Sequence, residues 1–325
     1  MSVLLEARGL VQQYTTGKSL FGRPGAVRAV DGIDLSVAEG EILGVVGESG
    51  SGKSTLGRML LGLETPLAGK VLYHGQPMPA PRTEHWRRLR AQMQLIFQDP
   101  LAALDRRMTV AAQIAEPLEI HGLARGAELA ERVEGLMGRV GLRRDQADRY
   151  PHELSGGQRQ RVVIARALAT SPRFLVCDEP VSALDVSIQA QVVNLLRDLQ
   201  EQDGLTMVFI SHDLKVVRNI CDRVAVMYLG RVVEEAPSDR IFADPRHPYT
   251  QALVSSIPRA GQGLGGRIIL HGEPPNPAAR PPGCAFHPRC RFADAGCAAQ
   301  VPRLENHGGR LAACLKLPCP ARQAA

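Results

Sequence analysis

The sequence predicts an α/β fold built on a mainly parallel sheet, and two observations carry that expectation. Short apolar strands at Ile42–Val46, Phe174–Cys177 and Met207–Ile210 alternate with helical stretches such as Ile188–Gln200, a pattern that covers both faces of a sheet with helices. The first strand runs directly into Gly47-Glu48-Ser49-Gly50-Ser51-Gly52-Lys53-Ser54-Thr55, a complete G-x-x-x-x-G-K-[ST] phosphate-binding loop (P-loop), and a helix opens at Leu56–Leu60. Before that core, Leu4 to Val37 alternates in shorter runs with turn glycines, as a small antiparallel β subdomain would. Asp99 to Tyr150 carries Ala, Leu, Glu and Arg at three- and four-residue spacing with no clear strand, so a helical subdomain is expected there. After Gly230 proline and glycine become dense, and Arg280 to Pro320 holds five of the seven cysteines, which reads as a small Cys-rich C-terminal extension. No internal repeat is evident, so the chain holds one nucleotide-binding unit.

Composition bounds the possibilities without choosing among them. A chain of 325 residues suits two domains, and 44% hydrophobic with 22% charged residues describes a globular protein. The net charge of +6 could suit an anionic partner, but the basic residues are mostly arginine and scattered rather than clustered. An ordinary solvated surface is expected, and no nucleic-acid partner. Met1 to Gly40 lacks an apolar core long enough for a signal peptide, and the longest apolar stretches, such as Thr206–Ile210, are strand-sized. Nothing in the sequence is therefore expected to span a membrane.

Each motif has a chemical reason. The glycines of the first loop let backbone N–H groups turn inward around nucleotide phosphates, and the helix behind adds its positive dipole end. Lys53 is placed to reach the β- and γ-phosphates, and the hydroxyl of Ser54 to take one position on Mg²⁺. Leu154-Ser155-Gly156-Gly157-Gln158 precedes an amphipathic helix, and a Ser-Gly-Gly turn there is a second phosphate-binding device. Taken alone it also describes an ordinary serine-capped helix; its position between the loop and the acidic strand end favours the first reading. Asp178 ends the strand Phe174–Cys177, where a carboxylate can hold Mg²⁺, and Glu179 beside it can orient and polarise an attacking water.

With these residues in view, the chain resembles the ATP-binding-cassette ATPases over roughly residues 1–235. Over nearly its whole length it resembles the ATP-binding subunits of bacterial oligopeptide and dipeptide permeases. The wider resemblance rests on Gly47–Thr55, Gln98 within Phe97-Gln98-Asp99-Pro100, Leu154–Gln158, Asp178-Glu179, Ser182-Ala183-Leu184-Asp185 and His212. The narrower one rests on Ile96–Leu101, Arg149–Glu153, Asp185–Gln191, His247-Pro248-Tyr249-Thr250 and the region beginning Gly283-Cys284. It implies a nucleotide-binding domain over 1–235, with its helical subdomain at about 99–158, and a permease-type extension over 236–325. It implies ATP and Mg²⁺ as ligands, with Ser54, Gln98 and Asp178 on the metal, Glu179 and His212 as the hydrolytic pair, and Tyr14 against adenine. Leu154–Gln158 would face the partner's ATP, with Ser182–Asp185 as the D-loop. Two composite sites then require a second, similar ATP-binding subunit. The implied activity is ATP hydrolysis that powers peptide uptake through two membrane permease subunits, fed by an external binding protein, at the cytoplasmic face of a bacterial membrane. Import of nickel or another small solute, or a cassette ATPase outside transport, are the alternatives.

Cys284, Cys290, Cys297 and Cys314 stand as C-x5-C-x6-C-x16-C, with Cys319 as a fifth. Four thiolates suit either Zn²⁺ or an iron–sulfur cluster, and the spacing lacks the C-x2-C pairs common in zinc sites. The resemblance implies a [4Fe–4S] cluster. Cys319 leaves the last ligand open, and Cys177 and Cys221 read as small buried hydrophobes.

Overall fold

The computed structural model describes residues 2–16, 25–258 and 267–317, so Cys319 lies outside the described residues. The chain divides into two compact units, one of Met1–Leu4, Val37–Glu41 and Tyr73–Ile210, the other of Leu5–Ser36, Ile42–Leu72 and Ser211–Ala325.

The second unit holds most of β1 (Val3–Thr16), β2 (Gly25–Ala38) and β4 (Ala68–Tyr73), which lie side by side in the order β2-β1-β4. These strands are longer than the runs expected between turn glycines. Gly9 (φ +57°) and Gly32 (φ +73°) sit inside them as left-handed kinks rather than at their ends, so each strand runs on through its glycine, and at Gly9 the buried set shifts by one, from Leu5 and Ala7 to Leu10. A wholly buried strand, β3 (Ile42–Val46), pairs in parallel with β9 (Arg223–Tyr228), setting Gly44 opposite Val224 and Val46 opposite Val226. Helix α8 (Leu214–Ile220) crosses close to β3: a Cβ on Gly44 would stand 2.9 Å from the Cys221 sulfur. β10 (Arg231–Pro237) runs antiparallel to β9, and β12 (Leu311–Ala312) to β10, with Glu234 opposite Ala312. The cysteine-rich segment thus adds a strand to this sheet. An ion-pair hub fixes it further. Arg280 donates to the buried Asp31 carboxylate, which Arg231 also reaches at 2.7 Å.

The first unit carries three parallel strands, β6 (Met93–Ile96), β7 (Phe174–Asp178) and most of β8 (Thr206–Ser211), in register with Val176 opposite Leu95 and Val208. Between β6 and β7 the chain is helical, as its spacing predicts: α3 (Pro100–Ala103), α4 (Val110–Ile120), α5 (Gly126–Arg139) and α6 (Gly156–Leu168). Thr109 caps α4, accepting from the Ala112 N–H at 3.3 Å, and Val110, Ile114 and Leu118 bury one face. Arg166 of α6 ties α3 to α4, donating to the Ala103 carbonyl at 2.7 Å and to Glu116 at 2.5 Å. After β7 comes α7 (Val186–Asp203), which spans the expected helix and ends at the left-handed Gly204.

Candidate functional site

In the second unit the P-loop is a tightly determined turn. At Gly47 a Cβ would meet the Met227 carbonyl at 2.2 Å, and at Gly52 (φ +98°) it would meet the Ala29 carbonyl at 1.9 Å, so neither position accepts a side chain. Gly52 is the N-cap of α1 (Lys53–Leu60) and gives that helix no side-chain cap. The backbone amides of its first turn are those that a phosphate group would use. Lys53 is 5% exposed, and its ammonium donates to the carbonyls of Gly47 at 2.9 Å and Glu48 at 3.0 Å, which closes the loop around its own side chain. Ser49 and Gly50 form the exposed rim, and Ser54 and Thr55 continue into the helix. Tyr14 is 39% exposed; its hydroxyl lies 3.4 Å from the Thr55 hydroxyl and donates to Glu64. His212, just past β8, is exposed, and Asp213 next to it caps α8 by accepting from the Lys215 N–H at 2.8 Å.

Sequence reasoning did not foresee what stands behind Glu48. Its N–H donates to the Tyr249 hydroxyl at 2.9 Å, and its carboxylate accepts from both terminal nitrogens of Arg289 at 2.9 and 3.1 Å. Tyr249 lies near the start of α10 (Pro248–Ser255), within the His247–Thr250 segment that the resemblance singled out without a role. His247 is wholly buried; its Nδ1 accepts from the Tyr249 N–H at 3.1 Å, and burial holds the imidazole neutral, with its pKa lowered to about 3. Burial also pushes the Tyr249 phenol up.

In the first unit Gln98, exposed after β6, donates to the Glu179 carboxylate at 3.2 Å. Asp178 ends β7 in register with Ile210. Glu179 takes φ +48°, a left-handed conformation that costs a non-glycine residue roughly 1–3 kcal/mol. Neighbours hold it there: its N–H donates to the Ile210 carbonyl at 3.0 Å, and its carbonyl accepts from the Ser182 hydroxyl at 3.1 Å. The strained backbone turns this one side chain away from the strand direction. No local sequence pattern carries that signal, because the proline that follows favours an extended residue before it.

Leu154 is buried and Ser155 exposed at the head of α6, where Ser155 and Gln158 form a capping box. The Gln158 N–H donates to the serine hydroxyl at 3.3 Å, and the Ser155 N–H donates to the glutamine carbonyl at 2.9 Å. A Cβ on Gly157 would press within 2.6 Å of the Ile188 side chain, whereas Gly156 faces only Leu184 at 3.4 Å. Within one chain this segment is a capped helix start with an exposed serine-glycine face. Of the D-loop, Ala183 and Asp185 are exposed and Leu184 packs toward that face.

The cysteines separate as their surroundings dictate. Cys177 and Cys221 are buried among apolar side chains, as expected, and all six described cysteines are free thiols. Burial first, then the neighbouring cysteines, raise the thiol pKa values of Cys284 and Cys290; Cys314 and Cys297 act on both. The four expected ligands therefore lie within electrostatic reach of one another. Among the described residues, however, no three His, Cys, Asp or Glu side chains are gathered as a metal-holding group. The four thiols are thus near one another without being drawn together as ligands of a zinc ion or of a cluster. No described helix is long and apolar enough to cross a membrane.

Comparison with known proteins gives three results. Residues 30–182 match the ABC transporter family, and residues 233–297 match the oligopeptide/dipeptide transporter C-terminal region. The chain is 49% identical to the oligopeptide transport ATP-binding protein AppF of Bacillus subtilis, across 93% of this chain and 94% of that one. It is 48% identical to the dipeptide transport ATP-binding protein DppF of Haemophilus influenzae, across 97% of each. Among solved structures it is similar to the dimeric, post-hydrolysis ATP-binding cassette MJ0796 bound to ADP and Pi, with a TM-score of 0.65 and 29% identity. That likeness covers 72% of this chain and 99% of the cassette.

Proposed function

The chain belongs to the ATP-binding-cassette transporter family, and on that premise we propose that it is the ATP-hydrolysing subunit of an oligopeptide or dipeptide importer. The observation that carries the reading is the P-loop: two glycines without room for a Cβ, an uncapped helix start and a buried Lys53 folded into the turn. Such a loop binds phosphate through backbone amides and a fixed cation.

In the proposed mechanism Lys53 and the amides of Gly47–Thr55 hold the β- and γ-phosphates, and Tyr14 stacks on adenine. Ser54, Gln98 and Asp178 offer the oxygen donors that would hold Mg²⁺, a hard cation whose charge would offset that of the phosphates. Glu179 orients the attacking water, and its hydrogen bond from Gln98 couples that carboxylate to the loop leading into the helical segment. His212 donates to the γ-phosphate. Leu154–Gln158 and the D-loop, Ser182–Asp185, face the ATP of a second, similar subunit; the exposed face of Ser155 and Gly156 supports this, as does the dimeric state of the similar cassette. We also propose the organisation of 1–235 as the nucleotide-binding domain and 236–325 as its extension. A chain of this kind works at the cytoplasmic face of a bacterial membrane through two permease subunits, with an external binding protein upstream.

The experiment is reconstitution in liposomes with the proposed permease subunits and binding protein. Peptide should stimulate ATP hydrolysis. Glu179→Gln should lower turnover by about two orders of magnitude or more while ATP binding persists. Stimulation by Ni²⁺ with none by peptide would move the assignment to the other solute class, and undiminished hydrolysis by the Gln variant would overturn the role of Glu179.

The [4Fe–4S] centre on Cys284, Cys290, Cys297 and Cys314 is a separate proposal, supported by the nearness of Cys297 and Cys314 to Cys284 and Cys290, on whose thiols both act. Binding must release their protons, because burial keeps Cys284 and Cys290 neutral without it. Anaerobically purified protein should contain iron and be brown; iron-free protein under those conditions would refute it.

A further inference from the structure

We propose that Arg289, in the cysteine-rich extension, is a positioning residue for nucleotide binding: it neutralises Glu48 so that the P-loop can accept a polyanion. The inference rests on the reading that Gly47–Thr55 binds ATP phosphates. Glu48 is the loop's second residue and brings a negative charge into a turn whose purpose is to attract one. That carboxylate is not left to solvent. Arg289 grips both its oxygens, at 2.9 and 3.1 Å, in the paired geometry that guanidinium and carboxylate favour. The arginine side chain is 7% exposed and the glutamate 29%, so water screens the pair only in part.

Arg289 is itself held in place. It ends a short turn, His287–Arg289, flanked by Cys284 and Cys290, in which the His287 N–H donates to the Cys284 carbonyl at 2.9 Å and the Arg289 N–H to the Phe286 carbonyl at 3.0 Å. Phe286 is buried against Tyr228 and Tyr249, with ring centroids 5.3 and 5.4 Å apart, and Tyr249 is the residue that accepts from the Glu48 N–H. The extension thus reaches Glu48 twice, at the backbone through Tyr249 and at the side chain through Arg289. Both contacts lie within one compact unit. The Cys-rich segment thereby sets the charge of the loop.

The test uses the full chain and titrates a fluorescent ATP analogue, displaced by ATP, ADP or adenosine. Arg289→Ala should weaken ATP binding about tenfold, equivalent to about 1.4 kcal/mol, weaken ADP less and leave adenosine displacement unchanged. Adding Glu48→Gln should restore ATP affinity to within about threefold of the wild type, because no charge then needs neutralising. Arg289→Lys, which keeps the charge but not the paired geometry, should fall between. Wild-type ATP affinity in folded Arg289→Ala would overturn the proposal, and so would failure of Glu48→Gln to restore it. If Arg289→Ala does not fold, the double variant decides: folded but binding at least tenfold more weakly than wild type, it sinks the idea. Lys53→Ala serves as the separate control. Unchanged ATP binding there would defeat the P-loop reading itself rather than the role of Arg289.

Discussion

Two glycine-rich helix starts in this chain look alike on paper and are built in opposite ways. At α1 the N-cap is a left-handed Gly52 with no side chain to offer, its Cβ position filled by the Ala29 carbonyl, and the lysine that follows is buried in the loop. At α6 the N-cap is Ser155, whose hydroxyl and partner Gln158 complete a capping box, and the next glycine faces mostly open space. The first is unfinished as a helix and finished as a phosphate cradle. The second is complete as a helix start and presents an exposed face. The difference bears on the proposed roles: the α1 loop is built to hold phosphate within its own chain, whereas the proposal sets the exposed α6 face against another subunit's nucleotide.

The sharpest way to break this comparison is to put the same methyl group at both starts. Gly52→Ala places a Cβ where a backbone carbonyl stands at 1.9 Å, at φ +98°, so the loop must deform. ATP affinity of the full chain should fall about a hundredfold, equivalent to roughly 2.7 kcal/mol. Gly156→Ala meets only the flexible tip of Leu184 at 3.4 Å, so the melting temperature should hold and ATP affinity should not change. Its effect should emerge only in the assembled transporter, as about a tenfold loss of peptide-stimulated turnover, roughly 1.4 kcal/mol in the barrier. Equal ATP affinities for the two variants would erase the distinction drawn here.

How much of this was legible in the sequence follows from the same contrast. The P-loop could be read because its spacing, its preceding strand and its lysine are local, and local patterns survive in one dimension. Asp178, Glu179 and Gln98 were legible as residue types at strand ends. The left-handed backbone of Glu179 was not, because it is imposed by Ile210 and Ser182 rather than by a neighbouring glycine. The grip of Tyr249 and Arg289 on Glu48 spans more than two hundred positions, and no periodicity encodes it. Strand lengths were underestimated at β1 and β2 because glycines that kink a strand look the same as glycines that end one. The cysteine spacing announced a cluster of thiols, and the structure brings them within electrostatic reach without gathering a metal-holding group among the described residues.

A smaller effect tests the α6 side alone. Ser155→Ala removes the cap but leaves both glycines, and should destabilise the isolated chain by about 1 kcal/mol in urea unfolding. Ser155→Asp restores the cap while adding a negative charge to the exposed face. If that face meets a partner's phosphates, the Asp variant should regain stability and still fail in the assembled transporter. Recovery of both properties together would mean that Ser155 matters only as a helix cap.

The smallest effect concerns acid, and it should touch the α1 side only. His247 accepts the Tyr249 N–H through Nδ1, and Tyr249 in turn holds the Glu48 N–H, so the support behind the P-loop depends on a neutral imidazole. Burial lowers its pKa to about 3, against about 6.5 in an unfolded chain. The unfolded state therefore binds the proton first. Stability contributed by the neutral ring is full above about pH 6.5 and is lost progressively as pH falls toward 3, beginning with about 0.7 kcal/mol between roughly pH 7 and 6. Glu234 acts in the opposite sense: burial raises its pKa although it accepts the N–H groups of Arg246 and His247, so it takes up a proton earlier than an unfolded glutamate would. Between about pH 7 and 6 an unfolded His247 takes up its proton while the buried ring stays neutral. His247→Asn keeps an acceptor for the Tyr249 N–H and removes its titration, so its unfolding free energy should slope less than that of the wild type there, keeping the part that His121, its pKa lowered first by burial, contributes. The α6 capping box contains no group that titrates in this range, and hydrogen exchange at Ser155–Gln158 should keep its protection relative to intrinsic rates, while exchange at Gly47–Lys53 speeds as pH drops. A wild-type slope retained in the Asn variant would place the acid sensitivity elsewhere.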